Sequence, residues 1–466
     1  MQNQPLFEHQ TQSLEVHRGQ DRVFDASDPG TGKTRVAIES FSERRIRGGG
    51  KALILAPKSI LRAAWSSDFR KFAPHISTSC AFATNRVAAF RAEADAYITN
   101  HAASVWLAKR DPSFFEGYDT LIIDESGAFK NPSSQRSKAV NKIKRYFKYR
   151  LAMNGTPSPN TITEIWNQMF ILDDGQRLGH SFFSFRMATC NPVQQGPSAS
   201  HIKWVDKDGS ADAVSKLMED MTIRNKMEDC IDIPANHEYS VPHHLSPTHL
   251  TSYEQMAKDN IMELLSGDEI QAVNAAVLST KLLQISSGAV YDENSKAHVV
   301  DTSRYELVLD LAEQRPHSLI FFLWGHQKDA LIAEAKKRKL TYCLIDGTTT
   351  NKQRNEAVDL YQKGFYRICF AHPASAAHGL TLTRGTATIW ASPTFNLEHY
   401  HQGMKRIHRA GQTKKTENIV IVAPGTIEEH VWGALINKRV RMSELLEQLA
   451  GQYNMLRKPS GPNTNC

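Results

Sequence analysis

The stretch "DPGTGKT", residues 28–34, decides how the chain reads. The residues before it, "DRVFDAS", have the pattern of a short buried strand with Val23, Phe24 and Ala26. Those after it, "TRVAIESFSERRI", have the pattern of a helix with Val36, Ile38, Phe41 and Ile46 as its apolar positions. Strand, glycine loop and helix together are the setting of a phosphate-binding loop. Backbone N–H groups along Asp28, Gly30, Thr31 and Gly32 then face phosphate oxygens at a helix N-terminus. Lys33 reaches the outer phosphates, and the Thr34 hydroxyl ligates Mg2+. Ser27 stands where the strict pattern has glycine, a small residue for a small one. Such a loop alone names no reaction.

The 466 residues suffice for two or three domains with sizeable cores. Hydrophobic content of 41% and charged content of 23% are ordinary for a globular protein. No apolar run reaches membrane-spanning length, and "MQNQPLFEHQ" is not a signal peptide. The six cysteines form no CxxC pair, which fits a reducing cytoplasm without structural zinc or disulfides. A net charge of +7 permits a polyanionic partner, and its distribution favours one. "RSKAVNKIKRYFKYR" (136–150) holds seven basic residues and no acid, and "HYHQGMKRIHRAGQTKK" (399–415) holds five Lys or Arg and no acid. Two such runs beside nucleotide motifs point to nucleic acid. Tyr146, Phe147 and Tyr149 interleave with the first run, but they lead into a strand and read as core.

Strand patterns recur at 51–57, 95–100, 118–124 and 149–155, and again at 318–324, 341–346, 366–372, 387–392 and 417–424, with helical stretches between them. That alternation specifies two α/β units with parallel sheets. Residues 161 to about 225 read as an inserted helical region with an irregular loop.

"LIIDES" (121–126) ends an apolar strand with two carboxylates, an unusual choice unless the acids have a chemical role. Asp124 suits Mg2+, opposite Thr34, and Glu125 suits orientation and deprotonation of a water. In the second unit, Gln402, Arg406 and Arg409 lie at i, i+4 and i+7, one face if the segment is helical. Two cations and an amide on one face suit a γ-phosphate that gains charge during transfer. Nucleotide motifs split between two units describe a cyclic motor. His399 and His401 alternate and so do not make a metal site.

The order of motifs resembles helicase superfamily two, specifically the Swi/Snf-type DNA-dependent ATPases, from about residue 6 to residue 450. The matching stretches are "LFEHQ", "DPGTGKT", "LILAPKSILRAAWSSDFRKF", "YITNH", "RLAMNGTPSPN", "IDGTTTNKQRNEAVDLYQ", "AHPASAAHGLTLTRGTATIWASPTFN" and "HQGMKRIHRAGQTKK". The resemblance implies two RecA-like lobes, at 1–160 and 301–450. Between them it implies a helical insertion with a return strand to the first lobe (161–245) and a helical connection (246–300). A disordered tail follows (451–466). It implies ATP and Mg2+ as cofactors, with Gln10 reading the adenine and Gly379 part of the nucleotide site. It implies double-stranded DNA as the track, with contacts at Lys58, Ser59, Asn100, Lys130, Asn131, Gly347, Thr348 and Thr381. The expectation is a cytoplasmic monomer, from a virus or a bacterium, that translocates on or remodels complexes on duplex DNA, with an unidentified protein partner. The alternatives are a strand-separating helicase and an ATP-gated clamp that does not cycle. Two departures stand out: Gly127 replaces the family's usual histidine, and Asn154 its usual threonine.

Overall fold

The computed structural model describes residues 5–194, 202–230, 232–266, 272–376 and 380–456. The chain clusters into two units, Met1–Val193 with Trp204–Asp232 and Val440–Cys466, and Gln194–Lys203 with Ile233–Arg439. The first unit holds a seven-stranded sheet of β1 (Arg22–Asp25), β2 (Lys51–Ala56), β3 (Thr78–Ala81), β4 (Ala96–Asn100), β5 (Tyr118–Asp124), β6 (Tyr149–Met153) and β7 (Thr222–Ile223). The strand order is β3-β4-β2-β5-β6-β1-β7, and every pairing is parallel.

A parallel sheet is buried on both faces, so its strands read as continuous apolar runs. In β2, Ala52, Ile54 and Ala56 pack with Val23, Ile98 and Ile122 on one side. Leu53 and Leu55 pack with Leu121 and Ile123 on the other. Helix α1 (Lys33–Ile46) leaves the glycine loop directly. Its buried face includes Val36, Ile38 and Phe41, but Ile46 is 71% exposed. The last turn has passed the sheet, and Gly48 in the left-handed region ends it.

The second unit holds β8 (Asn236–Pro242), β9 (Ser318–Phe321), β10 (Tyr342–Ile345), β11 (Ile368–Ala371), β12 (Ala387–Trp390) and β13 (Thr416–Val422). Their order is β8-β13-β12-β9-β11-β10, again all parallel. All nine strand patterns from the sequence are present. Two edge strands were not legible: β3, largely half-exposed, and β8, whose side chains alternate between half-buried and exposed. An edge strand lacks the apolar run that marks a central one. β8 corrects the expected domain boundary. The return strand to the first sheet is β7, whereas residues 236–242 belong to the second sheet. The stretch 246–300 likewise clusters with the second unit. Residues 451–456, assigned to the tail, continue the helix Ile427–Leu456.

The basic run at 136–150 divides. Arg136, Lys138, Lys142, Arg145 and Lys148 are exposed, but Lys144 and Arg150 are buried. Both form ion pairs with Asp174, at 3.1 and 2.7 Å. Phe147 is core, and Tyr146 stacks on Phe115 at 4.5 Å.

In the second unit Arg304 and Glu428 form a bidentate pair, 2.9 Å at each bond, at 1% and 0% side-chain exposure. Glu428 Oε2 also accepts the Ala423 N–H at 2.7 Å. Glu428→Ala would strand a buried guanidinium and should cost roughly 3–5 kcal/mol. The double change Arg304→Met with Glu428→Leu should cost far less. Chemical denaturation of both variants checks this.

Candidate active site

In a parallel sheet the loops after the strands share one edge. The first unit therefore gathers the glycine loop after β1, Lys58 after β2, Asn100 at the end of β4, the acids at the end of β5 and the Gly-Thr-Pro turn after β6.

The loop is held on three sides. Gly30 and Gly32 occupy the left-handed region, at φ 96° and 87°. A Cβ on Gly32 would lie 2.1 Å from Gln10 Nε2. Gln10 itself donates to the Thr31 carbonyl at 3.2 Å and accepts the Phe7 N–H at 3.2 Å, and His9 Nε2 donates to the same Thr31 carbonyl at 2.8 Å. On a second side, a Cβ on Gly155 would come within 2.9 Å of Pro29 Cδ. On the third, Asp28 accepts from Arg224 Nη1 at 2.7 Å and from the Met227 N–H at 3.1 Å. The Asp28 side chain thus anchors the loop to the segment after β7. Ser27 is tied to the same segment, its Oγ accepting the Asn225 N–H at 3.0 Å and Asn225 Nδ2 at 3.2 Å. A glycine there would lose both bonds, which accounts for the departure from the strict pattern.

Lys33 Nζ donates to the Ser27 and Asp28 carbonyls at 2.5 and 3.0 Å, so its ammonium lies inside the turn. Thr34 starts the first turn of α1 and is half-buried. Asp124 is buried. Its Oδ2 accepts the Trp65 indole N–H at 2.9 Å, and its carbonyl accepts His101 Nε2–H at 2.7 Å. Burial raises the Asp124 carboxyl above the usual range, opposed by the Trp65 hydrogen bond and by Lys33. His101 is pushed down to about 4 by burial and is neutral at pH 7. Glu125 is half-buried and adopts φ 53°. That conformation strains a non-glycine residue, and such strain concentrates at functional sites.

These residues fit ATP with Mg2+. The loop's positive-φ glycines open onto a 14-residue helix, an ammonium sits within it, and Asp124 is a buried carboxylate that a divalent cation would keep ionised.

The sequence reading missed several members. Asp25 is a second buried acid; its Oδ1 accepts the Ser27 N–H at 2.9 Å. Its position at the end of an apolar strand was the available signal, the same one that marked Asp124. Trp65 lies in one of the stretches that match the family but was given no role, and Arg224 and Asn225 act only through folding.

Lys58 and Asn131 are exposed, and Asn131 Oδ1 holds the Ser133 N–H at 2.9 Å. Asn100 is half-buried, and Lys130 pairs with Glu164 at 2.8 Å. The Ser59 side chain lies outside the described residues.

In the second unit, Gly347 and Thr348 are exposed in the loop after β10, and Thr348 caps Asp346 with a 2.9 Å bond from its N–H. Thr381 is half-buried, and Gly379 lies outside the described residues. The expected helical face at 402–409 is corrected. Helix α2 (Leu397–Met404) ends before the arginines. Continuing the helix needs the Arg406 N–H on the Gln402 carbonyl. Instead Arg406 Nε takes that carbonyl at 2.7 Å, and the Arg406 N–H bonds Gly403 O at 3.1 Å. The two arginines are nevertheless together, both donating to the Leu380 carbonyl, at 3.3 and 3.0 Å. Gln402 is buried, and its Oε1 has no hydrogen-bond partner among the described residues.

Burial also raises the Asp25 carboxyl, with Lys33 opposing. The folded state therefore favours the protonated acid, and its contribution to stability falls as pH rises through the folded pKa. Asp25→Asn should unfold at a higher temperature than the native chain at pH 8 and lose that advantage towards pH 4. Thermal unfolding across pH measures the crossover.

Residues 10–287 match the SNF2-related domain and residues 303–411 the helicase conserved C-terminal domain. The chain is 26% identical over 442 residues to putative protein p41 of Acyrthosiphon pisum secondary endosymbiont phage 1, covering 90% of this chain and 93% of that one. It is 24% identical to a putative ATP-dependent helicase/translocase of Bacillus subtilis, covering 91% of this chain but 46% of that one. It thus spans nearly all of the phage relative and less than half of the bacterial one. A solved structure, the Sulfolobus solfataricus SWI2/SNF2 ATPase core in complex with dsDNA, aligns over 97% of this chain and 95% of its own at 21% identity, with a TM-score of 0.45. With the family's domain matched over residues 10–287, more than half of the chain, this protein belongs to the SNF2-related family of helicase-like, DNA-dependent ATPases.

Proposed function

We propose that the protein is a motor that hydrolyses ATP to translocate on double-stranded DNA. The observation that carries the reading is the placement of Lys33, Asp124 and the strained Glu125 on one sheet edge with Lys58, Asn100, Lys130 and Asn131. Hydrolytic groups and candidate phosphate-backbone contacts leave adjacent strands, so movement of one set is felt by the other.

In this reading Lys33 and the loop N–H groups hold the phosphates, and Gln10 borders the base. Thr34 and Asp124 would hold Mg2+, which would supply neutralisation of charge on the transferring group. Glu125 orients a water and accepts its proton. Arg406 and Arg409 supply cationic stabilisation from the second unit, and Gln402 shapes the segment that carries them. The exposed cations at 136–148 add non-specific attraction to the track.

The test is the rate of ATP hydrolysis with no nucleic acid, single strands, duplex DNA and RNA. Duplex DNA should stimulate most, and its binding should weaken linearly in log–log form as salt rises, because phosphate contacts release counterions. Stimulation by RNA alone refutes the duplex-DNA reading. ATP binding with negligible turnover on any polymer would favour a clamp.

Arg409→Ala should keep ATP binding, because the first unit's loop supplies most of it, and lose turnover by roughly a thousandfold, the scale of an arginine finger. Nucleotide-binding titration beside steady-state turnover separates the two effects. Turnover near the wild-type rate would remove Arg409 from the site.

A further inference from the structure

Within the helix Trp166–Asp173, buried apolar residues Trp166, Met169, Ile171 and Leu172 accompany two amides, Asn167 and Gln168, each at 0% exposure. An amide in such a place costs free energy unless its polar atoms are satisfied. Gln168 is satisfied by four bonds to separate places. Its Oε1 accepts the Ser126 hydroxyl at 2.7 Å and Asn154 Nδ2 at 2.8 Å. Its Nε2 donates to the Pro157 carbonyl at 2.7 Å and the Glu164 carbonyl at 2.9 Å.

Those partners are not incidental. Ser126 follows Glu125, whose backbone is strained. Asn154 precedes the Gly-Thr-Pro turn and Pro157 closes it, and its Gly155 rests on Pro29 of the phosphate loop. Gly127 leaves room for the arrangement, since a Cβ there would stand 3.0 Å from Asn154 Nδ2. The neighbouring Asn167 holds the other end of the same short turn, donating to Phe129 O at 2.5 Å. The next residue, Lys130, is paired with Glu164, whose own carbonyl is a Gln168 acceptor. The turn Ser126–Phe129 is therefore clamped at both ends by one helix, with Glu125 on one side and Lys130 on the other.

We propose that Gln168 is a positioning residue that couples the nucleic-acid edge at Lys130 to the hydrolytic group Glu125 and to the Gly-Thr-Pro turn. This inference rests on the motor reading above. A displacement of Lys130 or Glu164 loads the Gln168 amide, and a buried, fully satisfied network transmits such a load because it has no solvent to relax into. Gln168 is fully buried and bonded only to protein groups, so its loss should alter the response of hydrolysis to DNA.

The experiment uses the full chain with Gln168→Leu and, separately, Ser126→Ala. It measures ATPase rates with and without duplex DNA at fixed salt, the KM for ATP, and the thermal midpoint. For both variants the ratio of stimulated to unstimulated rate should fall by about fivefold or more, while KM stays within about twofold, the scale of a lost coupling contact. A stimulation ratio equal to wild type in both variants overturns the inference, and so does an equal loss of both rates. If Gln168→Leu lowers the thermal midpoint severely, Ser126→Ala decides alone, since it removes one bond from a small side chain. Failure of wild type itself to respond to duplex DNA would overturn the motor reading and this inference with it; a responsive wild type beside equally responsive variants overturns only this inference.

Discussion

Parallel pairing is the constraint on which the rest depends. Each of the two main sheets runs all its strands one way, so each collects the loops that follow its strands at a single edge. Asp25 and Asp124 end strands separated only by β6, whose Met153 registers with both. That places two buried acids near one ammonium, Lys33, and none of the three would be tolerated there singly. Stability is lost at this edge and recovered in the apolar layers on the two faces of the sheet, a division common where a fold carries chemistry.

Central strands were legible because burial on both faces leaves unbroken runs such as "KALILA" and "NIVIV". The glycine loop and the Asp-Glu strand end were legible because each chemistry demands particular residue types at short spacing. The edge strands β3 and β8 were not, since most of their side chains are half-buried or exposed and their pattern merges with that of loops. The 402–409 segment failed for another reason. Spacing of four and three suggests a helical face, but it holds only while the backbone continues the helix, and Arg406's own side chain competes for the carbonyl that continuation requires. The two arginines still converge, through a shared backbone acceptor that spacing cannot reveal.

Charge counts were equally ambiguous. Seven basic residues at 136–150 look alike in sequence, yet two are internal struts to Asp174 and five face solvent. Burial alternates with the helix turn and then with the strand entry, so only the fold separates a cation that can meet a polyanion from one already neutralised.

The phosphate loop shows how far apart its determinants lie. Asp28 and Ser27 are both fixed by residues 224–227, almost 200 positions later, and the Ala26 N–H bonds the carbonyl of Ile223 in β7. A loop that must be open enough to receive phosphate is braced only in part from within, by Lys33 and Thr31 on its own carbonyls, because its glycines supply no side chains. It is braced also from the returning segment, from the Gly-Thr-Pro turn and from the helix bearing Gln10. The phosphate loop is thus overdetermined, while Glu125 sits in a strained backbone conformation next to Ser126, whose hydroxyl the buried Gln168 amide accepts. With Glu125 as the proposed hydrolytic group, a fixed binding loop beside it is an arrangement in which a signal would change the rate of hydrolysis more than the affinity for nucleotide.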